Sequence, residues 1–182
     1  PGTARRVGPP VPSAVAGRTS FTFHPGTTRV PPASAPDPVN RSYTVSADVE
    51  VGEGASGFLF GQGGRFGGHA LYLVDGELRY HYNLLGTAAW TVSGGVAVPA
   101  GRHELAVAFE REGDGFGEGG TVTLRVDGAV VATQTLPRTT PWRMSYIEGL
   151  NVGRDTGTPV SPDYAVPYAF TGTLHTVRME LG

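Results

Sequence analysis

The stretch HALYLVDGELRYHYN, residues 69 to 83, decides which fold the sequence predicts. It holds two runs with a period of two, and this period is typical of half-buried β-strands. Asp75-Gly76 joins the two runs, and this dipeptide favours a two-residue hairpin turn because such a turn needs positive φ angles. TVTLRV and AVVATQTL, joined by Asp127-Gly128, repeat the pattern. The sequence therefore predicts two β-hairpins.

Other strand patterns occur along most of the chain. They include longer alternating runs and shorter apolar runs, at residues 42–51, 58–60, 89–92, 102–110 and 150–152. In TLHTVRMEL, residues 173 to 181, Leu174 is out of phase with Val177 and Met179, as a β-bulge would make it. No convincing helical window occurs among the 28 Gly and 15 Pro. About ten short strands at this spacing predict an all-β fold, an antiparallel β-sandwich of the jelly-roll kind.

The composition changes near residue 40. Residues 1–40 are dense in Pro and small residues, which favours extended structure with little core. We expect this segment to be a linker and residues 41–182 to form the β-sandwich domain.

Charge and composition exclude several classes of function. The formal net charge is -2, and the 14 basic residues, all of them Arg, are spread along the chain. This balance provides no broad positive field for nucleic acid or an anionic membrane. No apolar run approaches the roughly 20 residues that cross a bilayer. The chain has no Cys, which excludes thiol chemistry and disulfides but leaves the localisation open.

The stretch EREGDGFGEGG, residues 110 to 120, is the strongest candidate for an active site. Its four acidic residues are at even offsets, so they could form a glycosidase-like carboxylate pair: Glu110, Glu112, Asp114 and Glu118. Such a pair needs a fixed separation of roughly 5 to 9 Å on a rigid element. Five glycines interrupt this stretch, so we favour a solvated hairpin loop.

Metal and ligand residues are less clearly indicated. Asp155 and Asp163 in GRDTGTPVSPDY could share a calcium ion, although a role in shaping turns is the simpler interpretation. The five histidines lack metal-ligand spacing, so each is interpreted as a lone surface or core residue. Tyr80 and Tyr82 share a face with Leu78, which favours the core. Three other aromatic residues lie beside turn residues and are freer to contact a sugar ring: Trp90, Trp142 and Tyr164.

The loop GQGGRFGGH, residues 61 to 69, presents Arg65 and Phe66 between glycine pairs. Glycine allows a tight turn, and Arg and Phe are both enriched at interface cores. We therefore expect this loop to contact another domain. The alternative is that Phe66 folds inward and caps the end of the sandwich.

Several longer stretches, taken in order, carry a resemblance to a known family. They are PGTTRVP, NRSYTVSADVEV, GQGGRFGGHALYLVDGELRYHYN, GGTVTLRVDG, LNVGRDTGTPVSPDY and FTGTLHTVRMEL. From about residue 20 onward the chain closely resembles the C-terminal region of large bacterial arylsulfatases. The resemblance implies a concanavalin A-like or laminin G-like jelly roll.

The resemblance also implies that the chemistry lies elsewhere in the parent enzyme. Sulfatases use a formylglycine, made from Cys or Ser in a Cys/Ser-x-Pro-x-Arg signature, and a divalent cation, typically calcium. The nearest approach to this signature here, Ser34-Ala35-Pro36-Asp37-Pro38, has Pro at the position of the Arg. No catalytic residue can be carried over, and no cofactor is expected in this chain. Residues 1–40 would then leave the catalytic domain.

Three functions remain open. The first is an accessory domain that packs on a sulfatase catalytic domain or on a second copy of the chain. The second is a carbohydrate-binding module that brings the enzyme to sulfated glycans through Arg. The third is a free-standing glycosidase, which the glycines of residues 110–120 argue against. The candidate residues for an interface or a ligand contact are Arg65, Phe66, Arg154, Asp155, Asp163 and Tyr164.

Overall fold

The computed structural model describes residues 15–145 and 147–182, and within this part of the chain it contains strands and turns but no helix. The strands are β1 (Ser20–Phe23), β2 (Tyr43–Val51), β3 (Gly57–Gly64), β4 (Gly67–Val74), β5 (Glu77–Leu84), β6 (Ala88–Ala97), β7 (Gly101–Arg111), β8 (Glu118–Val126), β9 (Ala129–Arg138), β10 (Leu150–Val152), β11 (Arg154–Asp155), β12 (Tyr168–Ala169) and β13 (Thr173–Leu181). The described residues contain no helix that is long and apolar enough to span a bilayer.

The strands form two sheets that pack face to face. One sheet has the order β1-β13-β2-β7-β8-β9, and the other has the order β11-β12-β3-β4-β5-β6, with β10 also paired to β3. The main core lies between the sheets and includes Val45 and Val107 from the first sheet and Leu71 and Tyr80 from the second. The prediction of an antiparallel β-sandwich is confirmed.

Both Asp-Gly hairpins form as the sequence predicts. In the β4–β5 turn Asp75 and Gly76 have φ angles of 50° and 83°, and in the β8–β9 turn Asp127 and Gly128 have 50° and 79°. Two successive positive φ angles match the twist of the flanking strands. The predicted bulge is also present, because the register of β13 against β2 shifts between Leu174 and Thr176.

The segment before residue 40 differs from its expected linker character. Within it, β1 pairs with β13, and Phe21 is buried in the main core. Val30 forms a bridge with Leu150, and Ala35 is also buried. The expectation of a coreless segment is therefore wrong for residues 15–40, and residues 1–14 lie outside the described residues.

A second, smaller core lies on the outer face of the second sheet. Residues 156–167, here called the covering loop, connect β11 to β12. Val160 and Tyr164 of this loop pack with Phe58, Ala70 and Tyr72. Leu71 and Leu73 of the same strand β4 belong to the main core, so the two clusters lie on opposite faces of the sheet. The covering loop therefore explains why β3 is buried on both faces.

The acidic stretch forms the end of the β7–β8 hairpin. Glu110 pairs across the hairpin with Thr121, and the loop from Glu112 to Gly117 turns the chain back. All four acidic residues predicted as a possible pair are exposed. The interpretation as a solvated hairpin loop is confirmed.

Candidate functional site

The outer face of the second sheet carries an open cleft of 420 Å³, here called the outer cleft. It lies between strands β5 and β6, the covering loop and the tip of the β3–β4 hairpin. Its walls include Arg65, His81, Asn83, Ala89, Pro159 and Ser161, and no Asp or Glu is among its lining residues. Arg65 is therefore the charged side chain among the residues that line the cleft.

Local hydrogen bonds fix the position of Arg65 at the end of the cleft. The Arg65 backbone N–H donates to Thr158 Oγ1 over 2.9 Å, and Asn83 Nδ2 donates to the Arg65 carbonyl over 3.0 Å. Asn83 Oδ1 also accepts from the Gly86 N–H over 2.8 Å, which ties the β5–β6 turn to the same point. The Asn83 side chain therefore positions the tip of the β3–β4 hairpin. These bonds use only the backbone of Arg65, so its side chain is left to contact a ligand.

The Arg65 guanidinium has no carboxylate partner within the described residues. It lies 5.8 Å from the centroid of the Phe66 ring, at the outer limit of a cation–π contact. Phe66 itself is 68% exposed. The alternative that Phe66 folds inward and caps the sandwich is therefore wrong.

His81 contributes a neutral imidazole to the wall of the cleft. Its Nδ1 lies 2.8 Å from Thr91 Oγ1. Burial lowers the pKa of His81, and the negative charge of Asp163 opposes this effect only in part. Because Thr91 engages Nδ1, only Nε2 is left for a ligand hydroxyl group, and the tautomer decides whether Nε2 donates or accepts.

The covering loop is held against the sheet by a polar network centred on Asp163. Tyr72 Oη donates to Asp163 Oδ2 over 2.8 Å, and Arg79 Nη1 donates to the same oxygen over 2.9 Å. Burial would raise the pKa of Asp163, but the bonds from Tyr72 and Arg79 hold it below its ordinary value. Tyr72 Oη also lies 2.9 Å from Ser161 Oγ. Asp163 thus supports the wall of the cleft through its neighbours.

Asp155 of β11 and Tyr164 of the covering loop are both buried. Tyr164 Oη donates to Asp155 Oδ2 over 2.8 Å, and the Tyr164 ring stacks on Tyr168 at 4.5 Å between centroids. Burial raises the pKa of Asp155, and the bond from Tyr164 offsets this only in part. The expectation that these two residues contact a ligand or partner directly is wrong, because their side chains fix the loop instead. Sequence alternation indicates which strand residues face inward, but it carries no such signal for a loop.

Asp155 and Asp163, for which a shared calcium ion was the weaker interpretation beside a role in shaping turns, belong to different networks. Asp155 accepts from Tyr164, whereas Asp163 accepts from Tyr72 and Arg79. Among residues 15–145 and 147–182 no three His, Asp or Glu side chains form a group that could hold a metal ion. The role of the two acids is to anchor the covering loop.

The remaining candidates lie away from the outer cleft. Arg154 is exposed on β11 and lines a separate depression. Trp142 is 71% exposed, as expected, whereas Trp90 packs against the main core. Tyr80 and Tyr82 are fully buried, as predicted. Of the six candidate residues, the structure therefore places Arg65 in the cleft wall and Asp163 just behind it.

No protein-family model matches the chain, and no curated protein sequence matches it significantly. Several solved structures, however, superpose on the chain. The CBM40 module of a Ruminococcus gnavus IT-sialidase bound to α2,6-sialyllactose superposes with a TM-score of 0.57 at 18% identity, covering 90% of this chain and 89% of that one. The same module bound to α2,3-sialyllactose gives a TM-score of 0.58 at 16% identity, with the same coverage. The LG4-5 domains of the mouse laminin α1 chain give 0.53 at 17% identity, covering 90% of this chain and 41% of that one.

The fold is a laminin G-like jelly roll. The identities are too low to show more than this architecture. In this chain the laminin G-like sandwich carries a long covering loop on one sheet, and the outer cleft lies at the edge of that loop.

Proposed function

We propose that this domain is a carbohydrate-binding module and that its outer cleft receives an acidic sugar. The observation that carries the proposal is the set of groups lining the cleft: one guanidinium without an ion-pair partner, a neutral imidazole and no carboxylate. A guanidinium binds a carboxylate or a sulfate ester with two parallel hydrogen bonds. A sugar hydroxyl would bond to Nε2 of His81, because Nδ1 is engaged by Thr91.

The size and the apolar parts of the cleft suit a sugar ring. Its 420 Å³ falls within the range of about 300 to 1,000 Å³ that is common for small-molecule sites. Ala89 and Pro159 supply apolar surface for the C–H groups of the ring. The similar modules that hold sialyllactose support the proposal, since sialyllactose carries a carboxylate on a sugar.

The test is isothermal titration calorimetry of the chain with 3′-sialyllactose, 6′-sialyllactose, 3′-sulfolactose and neutral lactose. We expect the acidic sugars to bind and lactose to bind at least tenfold more weakly. Arg65→Ala should weaken binding of the acidic sugars about tenfold, because one charge-assisted pair contributes on the order of 1.5 kcal/mol.

Arg138→Ala is the matched control, because it also removes an exposed Arg but lies on β9, outside the cleft. It should bind as the unaltered chain does. Unchanged affinity in Arg65→Ala, or equal binding of lactose and the acidic sugars, would contradict the proposal.

A second function is favoured by a different observation. Five exposed apolar side chains, 36% to 81% accessible, lie on loops at one end of the sandwich, here called the apolar end: Phe66, Leu85, Phe116, Trp142 and Ile147. The loops adjoin one another, because the Thr139 N–H donates to the Gly117 carbonyl over 2.9 Å and Gly67 lies against Leu85 and the Met144 carbonyl. Exposed apolar patches of this kind mark interaction surfaces.

This end fits the accessory role expected from the arylsulfatase resemblance. There the partner is the sulfatase catalytic domain of the same chain, and a second copy of the chain is the alternative partner. Arg65 lies at the junction of the apolar end and the outer cleft. An accessory domain docked at this end would therefore place the outer cleft beside the catalytic domain.

A further inference from the structure

A second depression lies on the other side of the covering loop from the outer cleft. It has a volume of 570 Å³ and is lined by Thr28, Arg29, Arg154, Thr156, Val166 and Pro167. We call it the Arg29–Arg154 depression. Its two guanidinium groups come from the segment before β2 and from β11, which are far apart in sequence.

The charges of this depression are not compensated by the residues around it. None of the ion pairs in the described part of the chain involves Arg29 or Arg154. The lining contains no Asp or Glu. Asp155, the neighbour of Arg154, is fully buried and accepts from Tyr164. Two arginines that share a depression with no acid create a local positive field that attracts an anion.

Backbone contacts hold Arg29 at this place. Its N–H donates to Asn151 Oδ1 over 2.9 Å, and the Val152 N–H donates to the Thr27 carbonyl over 2.8 Å. Arg29 also has a φ angle of 54°, in the left-handed region that residues other than Gly, Asn and Asp rarely adopt. Such conformations persist where the surroundings fix them, and they concentrate at ligand sites.

Thr156 supplies an independent observation. Its Oγ1 atom is buried and has no hydrogen-bond partner, although Thr156 is one of the residues lining the depression. Buried hydroxyl groups nearly always have a partner, so an orphan calls for an explanation. Because Oγ1 is closed to water in the free protein, the Thr156 side chain would have to rotate before its hydroxyl group could donate to an oxyanion held by the two arginines.

An apolar depression of 400 Å³ adjoins the basic one. Thr28 and Arg154 belong to the lining of both, and the second is also lined by Pro25, Val152, Phe170 and Leu174. A ligand with its anionic group between the arginines could therefore extend along an apolar surface. A sugar ring carrying an acidic substituent has this combination of a charged group and C–H faces.

We propose that the Arg29–Arg154 depression is a second anion-binding site, which takes the sulfate ester or carboxylate of an acidic glycan. The site is separate from the outer cleft and does not rest on it. Arg29 and Arg154 hold the anion by charge-assisted hydrogen bonds, and Thr156 donates a further one. Two sites on either side of the covering loop would let one domain engage two acidic groups.

The test is nuclear magnetic resonance titration of the isotope-labelled chain with defined probes. These are sodium sulfate, a chondroitin sulfate tetrasaccharide and a hyaluronan tetrasaccharide, which carries carboxylates but no sulfate. We expect shifts of the backbone amides of Thr28, Arg29, Arg154 and Thr156. If sodium sulfate saturates the site at the same concentration as the glycans, the site binds free anions and the assignment to a glycan is overturned. Tighter binding of the chondroitin sulfate tetrasaccharide would identify a site for a sulfate ester. Tighter binding of the hyaluronan tetrasaccharide would identify a site for a carboxylate.

The double variant Arg29→Gln with Arg154→Gln should weaken binding at these resonances at least tenfold. Arg125→Gln with Arg138→Gln is the matched control, because it changes the net charge equally on β8 and β9. An equal loss in the control would mean unspecific attraction and would overturn the proposal, as would unchanged binding in the first variant.

Thr156→Val separates a ligand role from a structural one. Its hydroxyl group has no partner in the protein, so its removal should leave the melting temperature unchanged or higher while lowering the anion affinity about threefold. A lower melting temperature with unchanged affinity would overturn the role of Thr156. Tighter binding of a poly-glutamate peptide than of both tetrasaccharides would overturn the assignment to a glycan.

The two proposed sites can be tested independently of each other. Arg65→Ala should leave the shifts at Thr28 and Arg154 intact, and the double variant should leave those at Arg65 and Ser161 intact. A variant that abolishes both sets of shifts would overturn the assignment of two separate sites.

Discussion

His69 shows how one buried side chain makes the stability of this domain depend on pH. Its ring centroid lies 5.4 Å from that of Tyr43, 5.9 Å from Phe60 and 6.0 Å from Tyr80, and its Nε2 atom has no hydrogen-bond partner. Burial lowers the pKa of His69 to about 4. The folded state therefore holds His69 neutral over a range in which the unfolded chain would protonate it.

The sign of the pH effect follows from this difference. Between about pH 6.5 and 4 the unfolded state binds more protons than the folded state, so the free energy of unfolding falls as the pH is lowered. The full loss of unfolding free energy from this one group is roughly 3 kcal/mol. We expect urea unfolding at pH 7, 6, 5 and 4 to show this loss in the unaltered chain and a smaller one in His69→Leu.

His24→Gln is the control for this measurement, because His24 is exposed. It should keep the pH dependence of the unaltered chain. If His69→Leu has the same slope against pH as the unaltered chain, the buried imidazole is not the source of the effect.

Strands and turns differ in how far the sequence predicts them. The two Asp-Gly hairpins were predictable because the turn and its flanking alternation are local. Strands β11 and β12 are two residues long and have no period of their own, so no pattern indicated them. Strand β3 is buried along its whole length, and the alternation that would reveal its extent is absent. The covering loop causes this burial, and its position depends on contacts distant in sequence.

The attachment of β12 to β3 depends on Gly57. Gly57 has a φ angle of 126°, and a Cβ atom there would collide with the Ala169 carbonyl and the Phe170 backbone. Gly57→Ala should lower the free energy of unfolding by about 3 kcal/mol or more, because the backbone of either segment must move. Chemical denaturation of the purified variant measures this.

Gly128→Ala is the matched substitution, since Gly128 also has a positive φ angle but no atom within 4 Å of the added Cβ. It should cost only about 1 kcal/mol, the conformational penalty alone. Equal losses in the two variants would show that the contact between β3 and β12 contributes nothing beyond backbone conformation.

For the whole molecule, the sandwich was predictable and the position of the cleft was not. Arg65 was recognisable as a presented side chain because glycine pairs flank it. The wall opposite depends on Asp163, which is held by Tyr72 and Arg79 from other strands, and no spacing in the sequence links these residues. Likewise, Arg29 and Arg154 meet only because the segment before β2 runs along β10.

The apolar end gives a prediction about the assembled protein. Arg65→Ala with Phe66→Ala should change the melting temperature of the isolated chain little, because the Phe66 side chain is mostly exposed. If the proposed accessory role is right, the same substitutions should lower the melting temperature of a longer protein in which this domain is joined to a sulfatase catalytic domain, because truncating an interface anchor can cost on the order of 2 kcal/mol. Differential scanning calorimetry of both proteins measures the two effects.

Val96→Ala is the control for a large exposed apolar side chain outside the apolar end. It should have little effect in either protein. If the Arg65 and Phe66 substitutions already lower the melting temperature of the isolated chain markedly, Phe66 belongs to the local core. The basis for docking at the apolar end would then be lost.

The pairing of β1 with β13 has a mechanical consequence. Ser20 lies opposite Glu180 and Phe23 opposite Val177. The first residue of β1 is therefore next to the end of β13, at the same end of the ladder. A pulling force applied between Thr19 and Leu181 would therefore load the hydrogen bonds one after another, as in a zipper, and would not shear them together. The domain would yield to tension first at the ladder between β1 and β13.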